Sequence, residues 1–175
     1  MSLPEAPWRD PVRLDRIGAG IERKLEADAE TCARVASFLD LLELSLFSAE
    51  LRLRPYGPGW RLSGRLRSEG TQACGLTLEP LPFQIDRTFH VDMAEAPRAG
   101  DKQVIDVEVS LDDDAPDLIE DGVIDLGIYA VEQLGLALDP FPRKPGAEFV
   151  PPEGPQEPSP FAVLATLKPR ESDKG

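Results

Sequence analysis

Apolar and polar positions alternate along much of the chain, and a period of two residues is typical of half-buried β-strands. This alternation predicts strands over residues 12–17, 21–27, 44–54, 61–67, 71–78, 83–93 and 104–111. Clusters of proline, glycine and aspartate separate these runs, as expected for turns. The clearest of these turns are predicted over 55–60, 79–82 and 112–114.

Two stretches have helical spacing instead. Asp28 is a good N-cap for a short helix through about Leu39, with apolar residues falling on one side: Cys32, Val35, Phe38 and Leu39. Asp125 is the N-cap of the strongest predicted helix, which has apolar or small residues at three- and four-residue spacing: Ile128, Val131, Leu134, Gly135 and Leu138. Prolines at 140 and 142 end that helix.

These elements predict an α+β fold, with a mostly antiparallel β-sheet of six to eight strands, a short early helix and a longer late helix. The expected organisation is an extended N-terminal segment over 1–11, a single domain over 12–150 and a proline-rich tail over 151–175. The tail contains a short apolar patch, Phe161–Leu167, which needs a partner in its own core or in another protein.

The net charge of −13 is concentrated in one part of the chain. Residues 92–125 contain twelve acids against Arg98 and Lys102, and we call this stretch the acidic segment. Such a local concentration is a candidate contact for a basic partner. The residues proposed for that contact are Asp112, Asp113, Asp114, Asp117, Glu120 and Asp121.

The predicted strands 44–54 and 61–67 form a hairpin with a basic outer face. Five arginines are expected to share that face: Arg52, Arg54, Arg61, Arg65 and Arg67. Like charges on one sheet face repel each other unless an anion lies against them. Two anions are available, a nucleic-acid phosphate backbone or the acidic segment of the protein itself. The arginines are therefore a candidate RNA-binding face.

Little in the chain predicts catalysis. There is one histidine, His90, and the two cysteines, Cys32 and Cys74, are too far apart in sequence to suggest a zinc site. Neither a phosphate-binding glycine loop nor a nucleophile motif is present, and the acidic residues lack EF-hand spacing. We therefore expect a protein that is not an enzyme, takes no small-molecule substrate and holds no cofactor or metal. The lack of a long apolar run or an N-terminal signal predicts a reduced, cytoplasmic protein without membrane contact.

The stretch Cys74-Gly75-Leu76-Thr77-Leu78-Glu79-Pro80 is predicted to be the end of a strand and a turn. Cys74 would then lie in the sheet core, on the same side as Leu76 and Leu78. Glu79 and Pro80 would end the strand, because proline at that place gives up no ladder hydrogen bond.

That stretch also resembles the central motif of the YceD family of large ribosomal RNA accumulation proteins. Three further pieces resemble the family in the same order: Leu14–Gly18, Ile124–Gly127 with Val131–Leu134, and Pro142–Ala147 with Pro160–Leu164. The motif residues are Cys74, Thr77, Leu78, Glu79, Pro80, Asp125 and Leu126. Many members have a Cys-x-x-Cys pair, but the second position here is Thr77, which puts a metal or redox role for that pair in doubt.

The resemblance implies a bacterial cytoplasmic protein that supports 23S rRNA accumulation and large-subunit assembly, and it carries no catalytic residues. We expect it to bind 23S rRNA or its precursor, a ribosomal protein, or both. The first alternative is an adaptor or chaperone for a basic large-subunit ribosomal protein, without RNA contact. The second is an RNA-processing enzyme that uses Mg²⁺ held by the acidic segment.

Overall fold

The structure is a computed structural model that describes residues 6–96 and 116–148. Its elements in chain order are β1 (Pro11–Arg13), a 3₁₀ turn (Leu14–Arg16), β2 (Ile21–Glu26), α1 (Ala29–Phe38), β3 (Glu43–Tyr56), β4 (Gly59–Ala73), β5 (Pro80–Glu95), β6 (Asp117–Ile119), β7 (Val123–Asp125) and α2 (Leu126–Ala137).

Strands dominate the described residues and form two sheets. The larger sheet has the order β2-β3-β4-β5-β6, antiparallel except for the parallel pair β5–β6, and the smaller sheet pairs β1 with β7. The predicted α+β class, strand number and two helices are confirmed. The seven strands of the described ranges are divided between two sheets because β1 and β7 pair with each other.

The core lies between one face of the large sheet and the two helices. Apolar residues of β3 and β4 form cross-strand pairs on that face, as in Leu53 opposite Leu62 and Ala49 opposite Leu66. A register shift between Leu44 and Leu46 lets Leu44 and Phe47 both point inward. Trp8 covers this core from the N-terminal segment, its ring centroid 5.0 Å from that of Phe47.

Both helices begin where the sequence predicts. The Asp28 carboxylate accepts the Thr31 N–H at 2.8 Å, and the Asp125 carboxylate accepts the N–H groups of Gly127 and Ile128. The buried residues of α2 are Leu126, Gly127, Ala130, Val131 and Leu134. The buried positions of α2 thus run from Leu126 to Leu134, whereas the predicted ones run from Ile128 to Leu138.

Three predicted strands differ from the structure. The run 12–17 contains only the end of the three-residue strand β1, and a 3₁₀ turn follows it. At the start of that turn, Leu14 N–H donates to the Gly122 carbonyl at 3.0 Å. The runs 61–67 and 71–78 are not separate strands, because β4 continues from Gly59 to Ala73. The prediction for 104–111 lies outside the described residues, as does the whole predicted tail over 151–175.

The Cys74 region was predicted wrongly. Residues 74–79 form a turn instead of a strand end, and Pro80 begins β5. Leu78 has a φ of 59° and its side chain is exposed, so it does not share a buried face with Cys74. Cys74 is fully buried, but in the turn and not in the sheet.

Candidate functional site

The five arginines predicted to share a face lie on the outer side of the large sheet. The register sets Arg54 opposite Arg61, while Arg52, Arg65 and Arg67 alternate with the buried leucines of β3 and β4. We call the outer side of β2–β5 the arginine face. Its position follows from strand alternation, because successive side chains point to opposite sides of a sheet.

Carboxylates of β5 pair with three of these arginines. Asp92 accepts two hydrogen bonds from the Arg61 guanidinium at 2.5 and 2.6 Å, and Asp86 accepts two from Arg65 at the same distances. Arg67 Nε lies 3.4 Å from the same Asp86 carboxylate. Hydrogen bonds from these guanidinium groups hold the pKa of Asp86 and of Asp92 below its usual value.

The remaining two arginines share an acid of β2. Glu22 lies 2.8 Å from Arg52 Nε and 3.5 Å from an Arg54 Nη. Arg61 also lies over the Tyr56 ring, 3.5 Å from its centroid, in a cation–π contact. Each arginine of the face therefore has an acidic partner within the described residues.

The arginine face is close to neutral as a whole. Six cations and six anions alternate across β2–β5: Lys24, Arg52, Arg54, Arg61, Arg65 and Arg67 with Glu22, Glu26, Glu50, Glu69, Asp86 and Asp92. The anions come from neighbouring strands, and in the described residues only Asp92 belongs to the acidic segment. Aligning β5 against β4 could have found Asp86 and Asp92. The prediction considered only the hairpin and missed them.

The turn at 74–79 is held by backbone hydrogen bonds at both ends. Cys74 N–H donates to the Glu79 carbonyl and Leu78 N–H to the Cys74 carbonyl, each at 2.9 Å. A segment distant in sequence also contacts this turn, since Gly75 N–H donates to the Pro142 carbonyl at 2.8 Å. We call residues 74–79 the Cys74 turn.

The Cys74 sulfur is a hydrogen-bond acceptor. The Lys144 backbone N–H lies 3.4 Å from it. Donation from the Thr77 hydroxyl and from the N–H groups of Lys144, Leu76 and Thr77 lowers the pKa of the Cys74 thiol to about 6. The Thr77 hydroxyl also lies 3.0 Å from a Glu79 carboxylate oxygen, and its single hydrogen serves only one acceptor at a time. Thr77 therefore supplies a hydroxyl donor beside the Cys74 sulfur.

The Lys144 side chain also contacts the Cys74 turn, through an ion pair with Glu79. Its Nζ lies 3.0 Å from both oxygens of Glu79, and this ammonium holds the pKa of the Glu79 carboxyl below its usual value. Two of the stretches that carry the family resemblance, 74–80 and 142–147, thus lie against each other. Local periodicity contains no signal for this contact, because 65 residues separate Glu79 from Lys144.

Asp125 and Leu126 connect another distant pair of segments. The Asp125 carboxylate accepts the Asp10 N–H at 2.8 Å as well as the helix N–H groups, and Leu126 N–H donates to the Asp10 carbonyl at 3.0 Å. Gly127 lies so close to this segment that a Cβ would come 2.8 Å from the Trp8 carbonyl oxygen. The motif residues Asp125 and Leu126 thus join the start of α2 to the N-terminal segment.

Only part of the candidate basic-partner block can be placed. Asp112, Asp113 and Asp114 lie outside the described residues. Asp117 accepts the Tyr129 hydroxyl at 3.2 Å, and burial together with Asp117 raises the pKa of Tyr129 and of Glu132. Glu120 and Asp121 form the turn before β7 and border a cavity with Asp15 and Glu95. This end of the molecule is acidic, whereas the arginine face is neutral overall.

Three further observations concern chemistry. Both cysteines of the chain are free and buried. Within residues 6–96 and 116–148, no group of three or more His, Cys, Asp or Glu side chains is arranged to hold a metal. In the same ranges, no helix has the length and apolar character needed to cross a bilayer.

Comparison of the chain with protein-family models, with curated proteins and with solved structures gives no match. The fold and the site define an α+β protein with a long, charge-paired sheet face, an acidic end and a buried thiol held by N–H donors.

Proposed function

We propose that this protein is a non-enzymatic ribosome-biogenesis factor that supports 23S rRNA accumulation and large-subunit assembly by binding. The observation that carries the proposal is the common face of Arg52, Arg54, Arg61, Arg65 and Arg67 on an open sheet. The resemblance of the Cys74–Pro80 stretch and three other segments to the YceD family supports the same function. In this proposal the protein acts in the bacterial cytoplasm.

The arginine face is suited to contact rRNA phosphates at short range. Glu22 is shared by Arg52 and Arg54, and Asp86 is shared by Arg65 and Arg67, so guanidinium N–H groups remain for further acceptors. Phosphate contacts of this kind position a protein on nucleic acid without reading its sequence. Because the face is neutral overall, it would attract non-specific RNA only weakly.

An adaptor or chaperone for a basic large-subunit ribosomal protein is the second candidate. The charge balance of the arginine face and the acidic end with Asp117, Glu120 and Asp121 both favour a protein partner. A basic ribosomal protein would bind the acidic end, and that binding would weaken as salt screens the charges.

Co-sedimentation with pre-ribosomal particles tests the RNA proposal. The variant Arg52→Gln/Arg65→Gln is compared with Arg13→Gln/Arg16→Gln, which removes the same charge from exposed residues outside the arginine face. We expect the first variant to leave the particle fractions and the second to remain in them. Equal co-sedimentation of both variants with the parent protein would refute the RNA contact.

A second measurement separates the two candidates. Purified protein is mixed with a basic large-subunit ribosomal protein in the absence of RNA, and Glu120→Gln/Asp121→Asn is compared with the parent chain. Asparagine is chosen at 121 because Asp121 has a φ of 54°, which asparagine tolerates. Salt-sensitive binding that this variant loses, together with unchanged co-sedimentation of the arginine variant, would establish the adaptor function instead.

A further inference from the structure

A groove of about 430 Å³ with both apolar and polar walls lies beside the Cys74 turn. Its walls come from the end of α1, the end of β4, the turn itself and the segment that follows α2. The apolar part of the lining includes Leu39, Ala73, Leu78, Leu138 and Pro142, and the polar part is Asp40, Gln72 and Asp139. This end of the fold therefore presents apolar surface to solvent, between elements that are otherwise well packed.

Large apolar side chains at and beside this groove are exposed. Leu78 is 77% exposed and Phe141, between two prolines that line the groove, is also 77% exposed. Leu78 also has a φ of 59°, a backbone conformation that is unfavourable for leucine. Exposed large apolar side chains beside a groove are typical of a contact site.

The course of the chain brings its own apolar patch within reach. Pro142 lines the groove, Lys144 N–H donates to Cys74, and the described residues end at Glu148. Residues 149–160 then lead to Phe161, and this length of extended chain spans up to about 40 Å. An attached segment has an effective concentration on the order of millimolar, so even weak contacts hold it.

The composition of the patch suits the apolar part of the groove lining. Phe161–Leu167 contains six apolar residues and Thr166, and it has no charged side chain. The rest of the chain beyond Glu148 is rich in proline and charge, so no other stretch there has comparable apolar character. We propose that the segment Phe161–Leu167 docks in the groove beside the Cys74 turn of the same chain.

Photo-crosslinking in the full chain tests the location. A photoreactive phenylalanine analogue replaces Leu164, and the crosslinked peptides are identified by mass spectrometry, using a mixture of isotopically light and heavy chains. We expect crosslinks within one chain to residues 72–78 or 135–142. Crosslinks to the apolar residues around Leu118 and Val123, or only between light and heavy chains, would overturn the proposal.

Amide hydrogen exchange tests the contact without a probe. Leu164→Asp places a charge in the patch, and Ser159→Asp places the same charge just before it as a matched control. We expect Leu164→Asp to accelerate exchange in peptides covering 74–78 and 135–142 by about tenfold, because a docked segment protects them. Ser159→Asp should leave these peptides unchanged, and peptides of β2 should not respond to either variant. Equal exchange in the two variants would show that the groove is not covered by this segment.

Discussion

The Cys74 turn and the arginine face both join residues that are distant in sequence, but different contacts hold them. In the turn, the buried Cys74 sulfur receives the Lys144 backbone N–H, although an exposed ion pair between Lys144 and Glu79 lies beside it. Asp125 belongs with the turn in this respect, since it receives the Asp10 N–H. On the arginine face, exposed side chains pair with each other, as Arg65 does with Asp86.

The difference matters because buried and exposed partners respond differently to substitution. A buried N–H group that loses its acceptor has no water to replace it. An exposed guanidinium that loses its carboxylate is solvated again, and it can exchange that carboxylate for a phosphate oxygen. The turn is therefore suited to fix the fold, and the arginine face is suited to bind.

The largest effect is expected at Asp125. Asp125→Ala removes the cap of α2 and the acceptor of the Asp10 N–H, and we expect a loss of about 2 kcal/mol in the free energy of unfolding. Urea denaturation measures it. Asp15→Ala is the control, since Asp15 is exposed and pairs only with the Arg13 side chain in the described structure. Equal losses would contradict the distinction between the two kinds of contact.

A smaller effect is expected at Cys74. Cys74→Val keeps the apolar volume but removes the acceptor of the Lys144 N–H, and we expect the Tm to fall by about 3–6 °C. Cys32→Val is the matched control, because Cys32 is also buried but accepts no comparable set of N–H groups. Thermal unfolding of both variants is the measurement, and a fall for Cys32→Val as large as that for Cys74→Val would argue against a specific role of the sulfur.

The two thiols should also titrate far apart. The pKa of Cys74 is lowered to about 6, whereas burial raises the pKa of Cys32. Thiolate ultraviolet absorbance of the single-cysteine variants measures both, and Thr77→Val should raise the pKa of Cys74 by removing the hydroxyl donor. Coincident titration of the two thiols would contradict this assignment.

The sign of the stability effect follows from the lowered pKa of Cys74. Folding favours the thiolate, so this contribution is present in full above the usual thiol pKa of 9.0 and is lost as the pH falls towards 6. Cys74→Val should remove that part of the pH dependence of the free energy of unfolding. A Cys74→Val profile parallel to that of the parent protein would contradict the linkage.

The smallest effect is expected on the arginine face. A double-mutant cycle with Arg65→Gln and Asp86→Asn should give a coupling below about 1 kcal/mol, decreasing as salt is added, because both side chains are about half exposed. Denaturation of the four proteins at two salt concentrations measures it. A coupling above that of the Asp125 contacts would remove the contrast between the two regions.

Strand alternation and helix caps were predictable because they depend on neighbours in sequence. The buried apolar residues of β3 recur every second residue and Leu62 and Leu66 of β4 keep the same parity, so the side of the sheet that the arginines occupy could be predicted. Asp28 and Asp125 marked the helix starts because an acceptor before an apolar helical run is a local signal.

The Cys74 turn was not predictable in the same way. Alternation of Cys74, Leu76 and Leu78 indicated a strand, but Leu78 adopts a positive φ and the chain turns. The competing contacts come from the Pro142 carbonyl and the Lys144 N–H, some seventy residues away. A local pattern contains no information about such partners, and here tertiary contact outweighs strand propensity.

The sequence by itself determined the α+β class, the two helices and the common face of the five arginines. Those features follow from periodicities of two and 3.6 residues, which the backbone geometry imposes on any buried sheet or helix. Only the tertiary structure decided that Glu22, Asp86 and Asp92 neutralise the arginines and that Lys144 meets Cys74 and Glu79. Strand order and register set these distances, because they bring together charges that the chain itself keeps far apart.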